Sequence, residues 1–548
     1  MLDHWIHILT FIWIMCCIYL ITIQSVNRND RRTSYFQQNE ILRVKIDKIS
    51  VTNAEISDQI SALNELLKYQ NSFEGHQPSE DYEYLRRRIY SNTKEFWYYA
   101  NAEFNALETL VEDMDALNFL RVKQLAHENY MSLLLDNLKL ADVDQHSRWR
   151  QQMFDHLSGL VQWRLNRLQN PLYCKGAKKL ICNSTFIDSD CGFTCRVHIL
   201  LNCLVIAYVN GRTLIVPAED GWLMQGDEWE SLFLPLSDTC LTSHGQTTLK
   251  WPGNEDAQVL WLDISHFIDS RNPHYPFEIP EDLAPALRVL HGDPVVWWIG
   301  QFLKFILRPR PSTSQMLDGL FNDLKFQTPI VGLQISKDLK HPPHRLLSEY
   351  MSHVEEYYKI KEMESGYEKK RIYLSTYDPK LLNKLKHKYP NYEIISVVDL
   401  PKKFSSQEDN ANRTIHNIII DLYFLSRCDY LVCTFSFDMG RMAYEMMNTL
   451  HPDAPIRFTS LDGIYNYPGK MRRLNVAVIP HEPTENGEIE LQQGDLISLS
   501  NNHRNGSSSG TSLRTHQTGL FPSFKVTPKV ETKNYPYYPA AVGNNDKV

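Results

Sequence analysis

The chain is poor in glycine, with 23 in 548 residues, and none sits where a nucleotide-binding loop would need it. No Gly-x-Gly-x-x-Gly follows a strand-like run and no Gly-Lys-Ser/Thr occurs. A dinucleotide dehydrogenase and a P-loop enzyme are therefore poor fits. A positive excess is missing too: Lys plus Arg is 57 and Asp plus Glu is 65, a formal charge of −8, which argues against nucleic acid as a partner. Paired metal knuckles are absent, since Cys191-x-x-x-Cys195 has no second pair, so a metal site is not expected. Hydrophobic residues at 43% and charged residues at 22% exclude a mainly disordered or collagen-like chain. The length allows about three domains.

Long apolar runs are also scarce, and the one present is at the start. Residues 5–23 carry no charge, and about 20 apolar residues span a bilayer. The preceding Met1-Leu2-Asp3-His4 lacks the basic residues of a cleaved signal peptide. An uncleaved anchor over 1–24 is predicted, with the membrane engaged through this one helix. Arg28, Arg31 and Arg32 would place the following chain in the cytosol by the positive-inside rule. Six cysteines, Cys174, Cys182, Cys191, Cys195, Cys203 and Cys240, argue the other way, for disulfides in an oxidising lumen. Sequons at Asn183, Asn412 and Asn505 agree with a lumenal body, and with it a type II membrane protein.

Leu42, Ile46, Ile49, Asn53, Ile56, Ile60, Leu63 and Leu67 step alternately by four and three, an a/d seam with one polar member. A single Asn at an a position fixes register and oligomer state, so a parallel homodimer through the stem, residues 25–172, is expected. Residues 81–168 continue as helix and read as a spacer and stalk.

From residue 173 the period changes. Strand-like runs at 213–216, 259–262, 330–335, 371–376, 392–395 and 430–435 are joined, in the later part, by helical runs at 380–389, 415–427 and 440–450. Such alternation predicts an α/β body with a parallel, doubly wound sheet, whose ligands bind at the carboxyl ends of the strands. Residues 334–340, 376–378 and 435–441 are the ones to watch. The basic, proline-rich stretch 302–311 reads as a linker between two lobes, and 271–276 as an extended polyproline segment. Asp142-x-Asp144 and Asp188-x-Asp190 look like metal-binding pairs but lie away from these strand ends. In the C-terminal part, Glu490-Leu491-x-x-Gly494-Asp495-Leu496-Ile497 and Gly519-Leu520-Phe521-Pro522-Ser523-x-Lys525-Val526 resemble the diverging turn and closing segment of SH3-like β-barrels, over 472–533. The intervening 501–512 lacks the Trp pair of a peptide groove.

Anchor, helical stem, Cys-rich start, α/β body and SH3-like tail stand in one order. With them come Cys174-Lys-Gly-Ala-Lys-Lys-Leu-Ile-Cys182, His291-Gly292-Asp293-Pro294-Val295-Val296-Trp297-Trp298, Leu431-Val432-Cys433-Thr434-Phe435-Ser436 and Leu450-His451-Pro452-Asp453-Ala454. The chain resembles, over nearly its whole length, the core α-1,6-fucosyltransferases of the Golgi. The resemblance implies a Golgi membrane protein with a lumenal body. It implies transfer of fucose from GDP-fucose to O6 of the innermost GlcNAc of an N-glycan on glycoproteins, with inversion and no metal or other cofactor. It implies a GT-B-like body over 173–465, an open α/β lobe to about 329 and a Rossmann-like donor lobe from 330. It also implies disulfides Cys174–Cys240, Cys182–Cys203 and Cys191–Cys195.

A diphosphate leaving without a metal must meet fixed cations, and arginine binds phosphate bidentately. Here this chain departs from the family, which has His-x-Arg-Arg-x-Asp-Lys after the strand. This chain has Gln334-Ile335-Ser336-Lys337-Asp338-Leu339-Lys340. Lys337 and Lys340, with His344 and Arg345, remain to neutralise phosphate. Phe437 and Gly440 replace a family Ser and Cys, which leaves Cys433 without its disulfide mate. The matching donor-site positions are Gly192, Tyr350, Asp378, Asp421, Ser436 and Arg441, beside Ser336, Lys337 and Lys340. Asp338 and Glu349 are candidates for a displaced base, and His503 matches an acceptor-side position on the barrel. The alternative is a weakly active or inactive paralogue that binds glycoprotein or a dimer partner.

Overall fold

A computed structural model describes residues 77–535 apart from 109–115, 184–190, 218–227, 246–247, 254–255, 264–275, 277, 336–344, 367–368, 377, 400–414 and 467–472. The predicted anchor, the heptad seam, most of the polyproline segment, Asn412 and the donor-site residues Ser336, Lys337, Asp338 and Lys340 lie outside the described residues. Among the described residues no helix is long and apolar enough to cross a membrane.

The described chain begins with α1 (Glu80–Glu108), α2 (Ala116–Leu140) and α3 (His146–Gln169). These are not a free spacer. Trp97 of α1 stacks on Tyr130 of α2 at 5.2 Å, and α1 is bolted to the body by buried charges. The helix breaks between α2 and α3, where Gln145 turns left-handed at φ 59°.

The first lobe has a parallel sheet ordered β2-β1-β4-β3, from β1 (Lys179–Asn183), β2 (Thr213–Ile215), β3 (Thr248–Lys250) and β4 (Val259–Asp263). Helix α4 (Phe193–Val209) covers it, followed by the short α5 (Glu228–Leu232), β5 (Ile279–Pro280) and α6 (Ala284–Leu290). Cys182 in β1 bonds Cys203 in α4, and Cys174–Cys240 and Cys191–Cys195 also form, so all three implied disulfides are present. Helix α7 (Pro294–Ile306), capped by Asp293, and α8 (Pro311–Asp323) lead into the second lobe. The first half of the stretch 302–311, expected to be linker, is thus the end of a buried helix, and only 307–310 join the two helices. Phe302, Leu303, Phe305 and Ile306 are buried on α7, because its apolar residues all but encircle the helix.

The second sheet is ordered β10-β9-β6-β7-β8, all parallel. It comprises β6 (Val331–Ile335), β7 (Arg371–Thr376), β8 (Glu393–Ile395), β9 (Tyr430–Cys433) and β10 (Phe458–Ser460). Its strands are almost continuously apolar because helices cover both faces. Helices α9 (Leu347–Ser365) and α10 (Pro379–Lys388) pack on Leu333, Ile372 and Leu374. Helices α11 (Ile415–Leu425) and α12 (Asp438–Met447) cover the other face and share a core with the first lobe.

That shared core is close-fitting. A Cβ added at Gly300 of α7 would meet the Glu445 carbonyl oxygen of α12 at 2.6 Å and Thr449 Cγ2 at 2.8 Å. Gly300→Ala is expected to cost about 1–3 kcal/mol by overpacking, read as a lower urea midpoint at unchanged slope.

The C-terminal part is an antiparallel sheet ordered β14-β13-β12-β11-β15, from β11 (Leu474–Ala477), β12 (Leu496–Asn502), β13 (Ser507–Ser512), β14 (Thr518–Pro522) and β15 (Val526–Pro528). Its small core is Ala477, Ile489, Leu491, Ile497 and Phe521. Arg473 donates to Asp293 at 2.7 Å, Asn502 donates to Glu95 of α1 at 2.7 Å, and β16 (Thr532–Lys533) pairs with β5. The sheet is therefore tied to the body and to the helical hairpin at three places.

Candidate functional site

In the second sheet the chain steps from β6 to β7 and β8, then crosses to β9 and β10 on the other side of β6. The strand order reverses there, between β6 and β9, which in a doubly wound sheet is where the carboxyl-end crevice lies. In open α/β sheets ligands bind at this point. Two helices of more than two turns, α9 and α12, are the next helices in the chain after β6 and β9, so their N-termini follow the carboxyl ends of these two strands.

The β9–α12 turn is tight. A Cβ at Gly440 would fall 2.8 Å from the Thr434 carbonyl oxygen, 3.0 Å from Cys433 Cβ and 3.1 Å from Gln334 Oε1. Glycine is thus needed here sterically, and Cys433 stays a free, buried thiol whose pKa burial pushes well up. Gln334, at the end of β6, is buried and its Oε1 has no partner among the described residues. Tyr350, on the first turn of α9, is buried against this turn, and burial pushes its phenol up to about 12.

Backbone donors of the turn are already engaged. Asp462, just past β10, accepts from the Phe435 N–H at 2.8 Å and the Ser436 N–H at 3.1 Å. Arg441, four residues into the same turn and helix, pairs with Asp438 at the first helical position. Below them Glu445 is fully buried. It accepts from Tyr465 at 2.7 Å and lies 2.8 Å from His198 Nε2 of α4, which joins α12 to the first lobe.

The structure sorts the other sequence candidates. Ser436 and Arg441 stand at the crevice, with Tyr350 beside them. Gly192 is the residue before α4, with open space where a Cβ would be, and the Cys191–Cys195 bond closes that helix's first turn. Asp378 caps α10, accepting from Lys380 N at 3.0 Å. Asp421 is buried in α11, where Tyr373 donates to one oxygen at 2.7 Å and Ser375 to the other at 2.8 Å, fastening α11 to β7. Glu349 accepts from Leu346 N at 3.1 Å and pairs with Arg345 at 3.2 Å, so its carboxylate holds the start of α9. His503 is exposed beside the β12–β13 hairpin, 3.1 Å from Ser509 Oγ. Asn505, at the hairpin tip, accepts from the Ser507 hydroxyl at 2.7 Å. Asp462 and Glu445 escaped the sequence reading, and Asp438 lay within the watched 435–441 without being singled out. Only Asp438 carried a local signal, its i, i+3 spacing from Arg441.

Among the described residues no group of three or more His, Cys, Asp or Glu is placed to hold a metal ion. What the crevice offers an anion is two helix starts and Arg441.

Comparison with known proteins shows the family. The family described as alpha-(1,6)-fucosyltransferase N- and catalytic domains matches residues 4–466. An alpha-(1,6)-fucosyltransferase of Drosophila melanogaster is 38% identical over 472 residues, covering 84% of this chain and 75% of that protein. One of Caenorhabditis elegans is 32% identical over 370 residues, covering 66% of each. Among solved structures, the fucosyltransferase NodZ from Bradyrhizobium is 12% identical over 48% of this chain and 92% of its own. Its TM-score of 0.29 is too slight a likeness to add to the sequence matches. A match over most of the chain, together with two relatives above 30% identity, places this protein in the alpha-(1,6)-fucosyltransferase family, as a glycosyltransferase.

Proposed function

We propose that the protein transfers fucose from GDP-fucose to O6 of the innermost GlcNAc of N-glycans, with inversion and without a metal. The observation that carries this is the crevice at the β6/β9 switch point, with Ser436 and Arg441 on its rim, in a chain of this family. The diphosphate would lie against the starts of α9 and α12. As the bond to fucose breaks, charge rises on the leaving diphosphate. Arg441 and the cations of the segment after β6, Lys337 and Lys340 among them, would neutralise it in place of a metal. A carboxylate would take the proton of the acceptor hydroxyl. Asp338 is the candidate left for that role, since Glu349 already holds a helix start.

The body fits a GT-B arrangement of two α/β lobes, and the C-terminal sheet fits an SH3-like barrel that carries His503 toward the acceptor. Three disulfides support a lumenal, Golgi location. The proposed homodimer draws on the heptad seam and on Leu85, Ile89, Phe96, Leu125 and Leu133, which stand exposed on α1 and α2.

The full chain, purified in detergent, should add one fucose to the core of an agalacto biantennary glycopeptide from GDP-fucose, with the position read by fragmentation mass spectrometry. The rate should be unchanged in EDTA. An intact melting transition with neither product nor heat of GDP binding would sink the proposal in favour of an inactive paralogue.

A further inference from the structure

The anion-seeking groups of the β9–α12 turn are answered by two carboxylates of the chain itself. They are held differently. Asp462 accepts from two consecutive backbone N–H groups and from the Ser460 hydroxyl at 3.1 Å, so displacing it would break three hydrogen bonds at once. Asp438 makes one side-chain ion pair with Arg441, three residues on, and its side chain is 37% exposed against 16% for Arg441. Of the two, only the Asp438 contact is replaceable. It lies at the first turn of α12, where a negative charge is favoured by the helix dipole, and so occupies the position an incoming phosphate would want.

We propose that Asp438 is an internal competitor for Arg441, so that the donor's diphosphate binds by exchanging one anion for another. This rests on the donor site proposed above. A part-exposed ion pair between neighbours on one helix is weak, so it yields to a ligand of higher charge that can meet the guanidinium fork bidentately. Binding is correspondingly weaker than Arg441 and the helix start would allow. Asp438 therefore sets donor affinity without touching the acceptor. When the diphosphate leaves, the Asp438 carboxylate is positioned to retake Arg441 and oppose rebinding of product GDP.

The test is calorimetric titration of the full chain with GDP at low salt, comparing wild type with Asp438→Asn. Asp438→Ser, a residue well suited to a helix start, serves as the second variant. Both should bind GDP about tenfold tighter, a difference of about 1.4 kcal/mol. The donor KM should fall with the affinity, while the acceptor KM stays the same. In an Arg441→Gln background most of that gain should vanish, because the two side chains are coupled. Unchanged or weaker GDP binding in both variants, with wild type binding GDP, overturns the inference and leaves the donor site standing. No GDP binding by any of the three proteins overturns the donor site, and this inference with it.

Discussion

Asp453→Ala is expected to cost about 3–5 kcal/mol and to release α1 from the body. Asp453 closes a buried knot of charge. Its carboxylate meets Arg86 of α1 at 2.5 Å and Arg87 at 3.7 Å. Glu83, one turn earlier, holds Arg86 at 3.0 Å and Arg150 of α3 at 2.7 Å. Glu83 is fully buried and Arg86 and Arg150 nearly so. Alanine would leave two guanidiniums facing a cavity with one carboxylate between them. A buried pair broken on one side costs far more than the pair contributes, because the remaining charge has lost water as well. Urea unfolding should show the loss, and limited proteolysis should show earlier cleavage within α1. A loss under 1 kcal/mol would mean that water reaches the site.

The same knot gives the protein an acid edge. Burial alone would raise the Asp453 carboxyl, but Arg87, Arg86 and His291 outweigh it and hold the pKa far below the usual carboxylate range. A depressed acid stabilises the fold above its unfolded pKa, about 3.9, and that contribution is lost as pH falls toward the folded value. Wild type and Asp453→Ala should therefore differ fully at pH 7 and converge below about pH 4. His291, pushed by burial from 6.5 down to about 4, adds to the loss. Between those values only the unfolded chain takes up the proton, so stability falls as pH drops through the window.

Removing the Cys182–Cys203 bond, as the paired Cys182→Ala and Cys203→Ala variant, is expected to cost about 3 kcal/mol. Both sulfurs are fully buried, and the bond fastens β1, an inner strand of the first sheet, to the helix that covers it across 21 residues. The loss combines a freer unfolded chain with a void where sulfur packed. The Cys191–Cys195 bond, spanning only 4 residues, should contribute less to global stability, and its loss should act on the first turn of α4 beside Gly192. Thermal melts of the two double variants should rank them in that order, and equal shifts would count against the loop argument.

Strand positions were legible because their signal is local. The apolar runs at 330–335, 371–376 and 430–435 became β6, β7 and β9, and the helical runs between them became α10, α11 and α12 within a few residues. A run of apolar residues near a proline-rich stretch misled at 302–311, since a helix buried on all sides shows no amphipathic stripe. The helical stretch 81–168 was visible as helix, but not that it folds back against the body. Its anchor is Asp453, more than 360 residues away from Arg86.

The candidate site divides the same way. Ser436 and Arg441 were legible as candidates because they sit in a motif that follows a strand. Asp462 was not, since nothing in its neighbours announces that it holds the Phe435 and Ser436 amides. Asp421, a match to a family donor-site position, also accepts from Tyr373 and Ser375, a role that no neighbouring residue announces.

By itself the sequence determined the α/β class of the body and the family, because these depend on short-range periodicity and contiguous motifs. Only the tertiary structure decided which carboxylates are spent on the fold and which lie against a cation at the crevice. Ion pairs and capping bonds form between residues far apart in the chain, and burial, which sets their strength, belongs to the packed whole.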